Sequence, residues 1–190
     1  MLRSFEEIGS KSEIKNFMLP GLTLVLGGAA SGKSAFAESL VTQTGRNLVY
    51  LATAQAFDEE MREKLAIHRA RRDGRWKTIE EPLDIGHKLA AISGDTAVLL
   101  DCATMWLSNH LLAENDLAEA EAALMAGLAL CPAPVVIVSN EVGLSVVPEN
   151  ALAREFREAQ GKLNQKLAAQ ASLVVNVVAG LPQVLKGELP

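Results

Sequence analysis

The chain has 190 residues, 49% of them hydrophobic, and a formal net charge of −5 at pH 7. This length and composition favour one globular domain with a sizeable core, and the acidic balance argues against a nonspecific nucleic-acid partner. No apolar run approaches the roughly 18 residues of a membrane span, and the first residues lack the apolar core of a signal peptide. The two cysteines have no metal-site spacing. We therefore expect a cytoplasmic protein without a membrane span.

The chain begins with a short leader and then a strand, a loop and a helix. Residues 1–20 carry charges of both signs and end at Pro20, so we expect a leader there and a single domain over residues 21–190. Residues 22–26 form a short apolar run that is typical of a buried strand, and residues 34–40 are compatible with a helix. The loop between the strand and the helix carries the chemistry.

This loop has the pattern G-x-x-x-x-G-K-S, which wraps the phosphates of a nucleoside triphosphate. It comprises Gly27, Gly28, Ala29, Ala30, Ser31, Gly32, Lys33 and Ser34. The glycines let successive backbone N–H groups turn inward, the lysine brings a cation to the β- and γ-phosphates, and the serine hydroxyl can ligate Mg²⁺. The next helix adds the positive end of its dipole. A glycine-rich turn that binds nothing is the alternative, and the flanking strand and helix favour the phosphate site.

A second strand and a basic helix follow. Residues 48–52 are apolar, and polar residues resume at Thr53. Asp58 is a candidate helix cap, and the apolar face that follows it ends at His68. The helix ends in a basic run that contains Arg69, Arg71 and Arg72. From these residues alone, a packed helix histidine and ordinary helix-dipole partners are the simpler interpretation, which also applies to His87 and His110.

An acidic residue closes the next buried strand. Trp76–Glu80 alternates like a strand, and the helix after it has its buried face at Ile85, Leu89 and Ile92. Thr96–Asp101 is apolar up to its final aspartate. Such an aspartate is most often a turn former, but beside a phosphate loop it is expected to hold Mg²⁺ directly or through water.

The rest of the chain alternates helices and strands. The predicted elements are helices over 105–112 and 116–130, a strand over 135–138, a helix over Ala151–Gln170, a strand over Leu173–Val178, and a closing turn at Gly180-Leu181-Pro182. This alternation predicts a single α/β domain with a mostly parallel sheet and helices on both faces. The carboxyl ends of its strands share one edge, where such sheets bind ligands, and carry Gly27, Thr53, Glu80, Asp101, Asn140 and Glu141.

Several further residue runs are more specific than a phosphate loop alone. They are Tyr50-Leu51-Ala52-Thr53, Asp58-x-Glu60-Met61, His68-Arg69 with Trp76-x-Thr78-x-Glu80, Ser139-Asn140-Glu141-Val142-Gly143, and Val147-Pro148-Glu149-Asn150-Ala151-Leu152-Ala153-Arg154. With the loop, they make the chain from about residue 22 to residue 186 resemble a known family. That family is the bifunctional adenosylcobinamide kinase / adenosylcobinamide-phosphate guanylyltransferases of cobalamin biosynthesis.

The resemblance implies a cytoplasmic P-loop enzyme with a RecA-like sheet, and a homotrimer is known within the family. It places the GTP contacts on the eight loop residues and on Ala52, Thr53, Ala54, Arg69, Ala70, Arg71, Arg72, Glu80 and Asp101, and the guanylylated histidine on His68. Ser34 and Asp101 are the expected Mg²⁺ ligands. The family commonly has arginine where this chain has Ala30, so a side-chain phosphate contact at that position is in doubt while the backbone cradle is not.

The implied activity has two steps on a corrinoid substrate. ATP or GTP first phosphorylates adenosylcobinamide, and GTP then gives GMP to the new phosphate through a guanylyl-histidine, with pyrophosphate leaving. A neutral His68 can attack near pH 7, and the arginines beside it favour the neutral ring. Two alternatives stay open here. One is a small-molecule P-loop kinase whose arginines clamp phosphate while His68 merely packs, and the other is a noncatalytic nucleotide-switched binding protein.

Overall fold

A computed structural model describes residues 17–55 and 74–190. The strands are β1 (Leu22–Gly27), β2 (Asn47–Ala52), β3 (Trp76–Glu80), β4 (Thr96–Asp101), β5 (Val135–Asn140), β6 (Leu173–Val178) and β7 (Leu181–Lys186). The helices in this part of the chain are α1 (Lys33–Thr42), α2 (Ile85–Ala90), α3 (Ala103–Leu112), α4 (Leu117–Leu130) and α5 (Ala151–Gln170). The helix predicted between Asp58 and His68 lies outside the described residues.

All seven strands form one sheet in the order β3-β2-β4-β5-β1-β6-β7. The first six of these strands run parallel, and β7 pairs antiparallel with β6. Helices cover both faces, so the central strands are apolar on both sides and appear in the sequence as continuous apolar runs. One face packs against α2, α3, α4 and α5, and the other against α1. The prediction of a mostly parallel α/β sheet is confirmed.

The structure corrects the closing turn that was predicted at Gly180-Leu181-Pro182. The turn is at Ala179 and Gly180, which have φ values of 51° and 80°, and Leu181 and Pro182 already belong to β7. Two successive residues with positive φ make the tight hairpin turn that matches the twist of antiparallel strands. Proline is tolerated in β7 because this strand lies at the edge of the sheet. Gly-Leu-Pro resembled a terminating turn because the pairing of β7 with β6 leaves little local signal.

Side chains that precede three of the helices stabilise their first turns. The Asp116 carboxylate accepts hydrogen bonds from the Ala118 and Glu119 backbone N–H groups at 2.8 and 3.1 Å. The Asn150 side chain accepts one from Ala153 N–H, and Asp84 accepts one from His87 N–H. These caps satisfy backbone donors that have no partner inside the helix. The predicted starts near Asp116 and Ala151 are confirmed on this basis.

Two glycines let α2 and α4 approach until their backbones touch. A Cβ atom built at Gly127 would lie 2.4 Å from the Gly86 carbonyl oxygen, and one built at Gly86 would lie 2.4 Å from the Ala123 carbonyl oxygen. Both distances are far below a van der Waals contact with a backbone atom that cannot rotate away. The contact holds α2 against the core beside Ile85 and Leu89, which are fully buried.

This contact predicts opposite outcomes for the same substitution in two helices. Gly127→Ala should lower the free energy of unfolding by roughly 1 to 3 kcal/mol, because overpacking against backbone outweighs the better helix propensity of alanine. Gly161→Ala in α5, where the added Cβ would meet no atom within 4 Å beyond the helix's own backbone, should stabilise the protein by about 0.5 to 1 kcal/mol. Thermal and denaturant unfolding measure both. Equal effects at the two positions would contradict the close helix contact.

Candidate nucleotide site

The phosphate loop connects β1 to α1, and two of its three glycines, Gly27 and Gly32, lie where a side chain does not fit. A Cβ atom at Gly27 would lie 2.4 Å from Ser31 Oγ and 2.7 Å from the Val177 carbonyl oxygen. Gly32 has a φ of 93°, and a Cβ atom there would also lie 3.1 Å from the Gly180 Cα atom. The loop therefore requires glycine at both positions for space and, at Gly32, for backbone conformation as well.

Backbone hydrogen bonds from two other segments hold this loop in place. Glu141 N–H, just after β5, donates to the Gly27 carbonyl oxygen at 3.1 Å. Gly180 N–H, in the β6–β7 turn, donates to the Ser31 carbonyl oxygen at 2.8 Å. The loop is thus fixed from both neighbouring strands. A cradle held in this way binds phosphate with little further loss of backbone entropy.

Lys33 is the first residue of α1, and its side chain folds back across the loop. Its ammonium donates to the Gly28 carbonyl oxygen at 3.0 Å. Partial burial lowers the pKa of Lys33, and the nearby Cys102 and Asp101 side chains act in the opposite direction. Because the charge on Asp101 is felt at Lys33, the two predicted halves of the site belong to one electrostatic environment.

Asp101 ends β4, and a neighbouring strand orients its carboxylate. The Tyr50 hydroxyl, on β2, donates to Asp101 Oδ2 at 2.9 Å. The sheet register pairs Ala52 with both Asp101 and Glu80, so these three predicted site residues lie side by side across β3, β2 and β4. Tyr50 was part of a family motif, but its role beside Asp101 was not predicted, because a tyrosine in an apolar strand gives no sign of the partner across the sheet.

Thr53 supports the site by holding the backbone of Cys102, the residue that follows β4. It is fully buried, and its hydroxyl both accepts a hydrogen bond from Cys102 N–H and donates one to the Cys102 carbonyl oxygen, each at 2.8 Å. The Asn109 side-chain amide donates to the Thr53 carbonyl oxygen at 2.8 Å. These bonds fix the end of β2 against the residue that follows Asp101. A direct nucleotide contact by Thr53 stays a prediction, and the observed bonds give it a supporting role.

The predicted residues spread along the carboxyl edge rather than around one point. Four strand spacings separate Glu80 on β3 from Gly27 on β1, which amounts to about 19 Å. A single small anion does not reach across this distance, whereas an extended ligand such as a nucleoside triphosphate suits it. His68, Arg69, Ala70, Arg71 and Arg72 lie outside the described residues, so their placement remains a prediction.

Cys102 and His110 lie in surroundings that are typical of residues with a structural role. Burial raises the pKa of the Cys102 thiol to about 11, so it is protonated near pH 7 and a poor nucleophile. The two ring nitrogens of His110 contact the Leu83 carbonyl oxygen at 3.2 Å and the Asn115 side-chain amide at 3.1 Å. The His110 ring also packs edge-on against Trp106. The interpretation of His110 as a packed histidine agrees with these contacts.

The fold and the loop define a P-loop nucleotide-binding protein, and comparison with solved structures agrees. The fold is similar to that of an ATPase from the type III secretion system of pathogenic bacteria, with a TM-score of 0.58 and 11% identity over 86% of this chain and 56% of the other. It is also similar to the RadB recombinase, with a TM-score of 0.51 and 18% identity over 83% and 74% of the two chains.

Sequence comparison defines the family. The family model of cobinamide kinase / cobinamide phosphate guanyltransferase matches residues 23–185, and the chain belongs to this family. The bifunctional adenosylcobalamin biosynthesis protein CobP of Pseudomonas aeruginosa is 44% identical over 168 residues, which cover 87% of this chain and 97% of that protein. CobU of Salmonella typhimurium is 39% identical over 181 residues, which cover 87% and 99%. The predicted family resemblance is confirmed.

The loop geometry predicts that Lys33→Ala damages both activities of the family, because one cradle serves both steps. Loss of a preorganised charge contact typically reduces rates by roughly a hundredfold to a thousandfold. Lys162→Ala is the control, since Lys162 is an exposed partner of Glu158 on α5. Kinase and guanylyltransferase rates are measured on folded protein. Wild-type rates for both steps in Lys33→Ala would contradict the assigned role of Lys33.

Proposed function

We propose that this protein phosphorylates adenosylcobinamide with ATP or GTP and then transfers GMP from GTP to the resulting phosphate, giving adenosylcobinamide-GDP and pyrophosphate. The observation that supports this most is the joint placement of the phosphate loop and Asp101 on one sheet edge, in a chain of this family. The family is defined by both activities, cobinamide kinase and cobinamide phosphate guanyltransferase, which favours this function over a kinase alone and over a noncatalytic nucleotide switch.

The first step is a phosphoryl transfer. The hydroxyl oxygen of adenosylcobinamide forms a bond to the γ-phosphorus, the bond from that phosphorus to the β,γ-bridging oxygen breaks, and the hydroxyl proton passes to solvent. Such transfers depend mainly on positioning and charge neutralisation. Lys33 and the N–H groups at the start of α1 supply positive charge to the phosphates, and the hydrogen bonds from Glu141 and Gly180 keep the cradle in shape.

The second step needs a nucleophile, for which we propose His68. A neutral imidazole nitrogen attacks the α-phosphorus of GTP and pyrophosphate leaves with the bonding electron pair. An oxygen of adenosylcobinamide phosphate then attacks the same phosphorus and releases the histidine. Arg69, Arg71 and Arg72 follow His68 in the chain and favour its neutral form. The proposal rests on the match to the family motif. Cys102 does not compete for this role, because its buried thiol is protonated near pH 7.

Mg²⁺ suits the residues at the loop, and we propose Ser34 and Asp101 as its protein ligands. Residues 17–55 and 74–190 contain no group of three or more acidic, histidine or cysteine side chains that could hold a metal ion alone. Mg²⁺ bound with phosphates needs only one or two carboxylates, besides hydroxyl and water oxygens. When bound, it neutralises charge on the transferred phosphoryl group. Tyr50 holds one carboxylate oxygen of Asp101, which fixes the direction of the carboxylate.

We further propose a cytoplasmic oligomer, with a trimer as the family suggests. β7 is an edge strand whose residues are all exposed, and Leu181, Val184 and Leu185 are among them. An exposed apolar edge strand is a common site of subunit contact and an aggregation risk when left open. The described part of the chain contains no helix long and apolar enough to cross a membrane.

Asp101→Asn tests the metal assignment, because it keeps the shape of the side chain and removes its charge. The Mg²⁺ concentration for half-maximal kinase activity should rise by roughly tenfold or more. Asp95→Asn is the matched control, since Asp95 precedes the same strand at its opposite end. A Mg²⁺ titration of each variant gives the comparison. An unchanged titration for Asp101→Asn would count against this ligand.

His68→Ala tests the covalent step. Wild-type protein incubated with Mg²⁺ and α-labelled GTP should retain label that is lost in mild acid and survives alkali, while γ-labelled GTP should leave none. The variant should lose labelling and guanylyl transfer but keep much of the kinase step, because the phosphate loop is untouched. His87→Ala, at an exposed position, is the control. Normal uptake of α-label by His68→Ala would place the nucleophile elsewhere.

A further inference from the structure

Asn140, the last residue of β5, lies between the two halves of the nucleotide site. β5 is hydrogen-bonded to β1 on one side and β4 on the other. The register pairs Asn140 with Gly27 of the phosphate loop, and it pairs Asp101 with Val138. Asn140 is therefore directly across from the start of the cradle and about 6.6 Å further along the strand direction than the level of Asp101.

The side chain of Asn140 is on the sheet face that carries the phosphate chemistry. The hydroxyl of its neighbour Ser139 donates a hydrogen bond to Asn164 Oδ1 of α5 at 2.6 Å, on the opposite face of the sheet. Successive side chains of a strand alternate between faces, so Asn140 shares the face of Val138, which packs in the same cluster as Ala37 of α1. By the same alternation Asp101 is on this face, since Leu99 belongs to that cluster. The amide of Asn140 and the carboxylate of Asp101 thus face the same side.

The backbone of Asn140 is anchored while its side chain is not. The Thr104 hydroxyl accepts from Asn140 N–H at 2.8 Å, and the Asn164 side-chain amide donates to the Asn140 carbonyl oxygen at 3.1 Å. The side-chain oxygen Oδ1 is buried and has no hydrogen-bond partner among the residues that the structure describes. An unpaired buried acceptor of this kind is destabilising, because it loses its bonds to water and gains none in return. Beside a ligand site, it is an atom for which a bound molecule supplies the donor.

A polar network on the other face keeps this strand end rigid. The Gln160 side-chain amide donates to Ser139 Oγ at 2.9 Å and to Asn164 Oδ1 at 3.0 Å, and all three side chains are buried. Asn164 in turn donates a hydrogen bond to the Asn140 carbonyl oxygen, so the network also holds the backbone of Asn140. The backbone of Asn140 is consequently held in place before any substrate binds, so its side-chain amide starts from a fixed point at the edge of the site.

We propose that Asn140 is a catalytic residue of the kinase step, whose amide oxygen accepts a hydrogen bond from the hydroxyl that attacks the γ-phosphorus. The inference rests on the proposed function. A neutral amide does not take the proton. It holds the hydroxyl in line with the breaking bond, and the proton passes to solvent as the new P–O bond forms. Guanylyl transfer takes place at the α-phosphorus and involves no such hydroxyl, so it does not need this contact.

The test separates the two activities in one preparation. Asn140→Ala should lower kcat of adenosylcobinamide phosphorylation by up to about a hundredfold with little change in the KM for the triphosphate. Guanylyl transfer from GTP to adenosylcobinamide phosphate should stay near the wild-type rate. Asn140→Asp keeps the size and an acceptor oxygen but adds charge near the phosphates. It should raise the KM for the triphosphate and retain more kcat than Asn140→Ala.

Asn164→Ala is the matched control, because it truncates an amide of α5 that packs against the opposite face of β5. It should lower the Tm, and because it keeps the Asn140 side chain while loosening the backbone that carries it, it should reduce kinase kcat less than Asn140→Ala does. Wild-type kinase kcat in Asn140→Ala, or an equal loss of kinase, guanylyltransferase and nucleotide affinity, would overturn the catalytic role. A wild-type protein that never phosphorylates adenosylcobinamide would overturn the proposed function and this inference with it. An active wild type with an unaffected Asn140→Ala would overturn the inference alone.

Discussion

The nucleotide site depends on backbone contacts that are too close to admit a side chain. Gly27 packs against the carbonyl of Val177, and Gly32 packs against Gly180. The second of these contacts comes from the β6–β7 turn, which also donates a hydrogen bond to Ser31. A hairpin near the end of the chain therefore shapes a loop near its beginning. This explains why the phosphate cradle, which is local in sequence, requires the completed sheet for its geometry.

The same sheet order arranges the chemistry. Because β5 lies between β1 and β4, the polar end of β5 reaches the space between the phosphate loop and Asp101. Polar bonds fix these strand ends: Thr53 holds the backbone after Asp101, and the Ser139, Gln160 and Asn164 network holds β5. The enzyme thus has a rigid edge for phosphoryl transfer, to which the proposed guanylyl step adds a nucleophile from a different part of the chain.

Much of this architecture follows from the sequence because its signals are local. Apolar runs of strand length located β1, β2, β4 and β6, and the spacing of the loop identified the phosphate site. Contacts between distant segments left no such signal. The bond from Tyr50 to Asp101 spans two strands, and the pairing of β7 depends on β6, so neither was predicted. The hydroxyl of Thr53 is occupied by Cys102, which no spacing rule indicates. The roles of His68 and its arginines rest on family motifs and stay predictions.

The most direct test of the account is the mass of the corrinoid product. Purified protein is incubated with adenosylcobinamide, Mg²⁺ and GTP as the only nucleotide. The products are then separated and identified by mass spectrometry. The account predicts adenosylcobinamide phosphate as an intermediate and adenosylcobinamide-GDP as the end product, with one pyrophosphate released for each guanylyl transfer. A reaction that stops at adenosylcobinamide phosphate, or one that leaves the corrinoid unchanged, would contradict it.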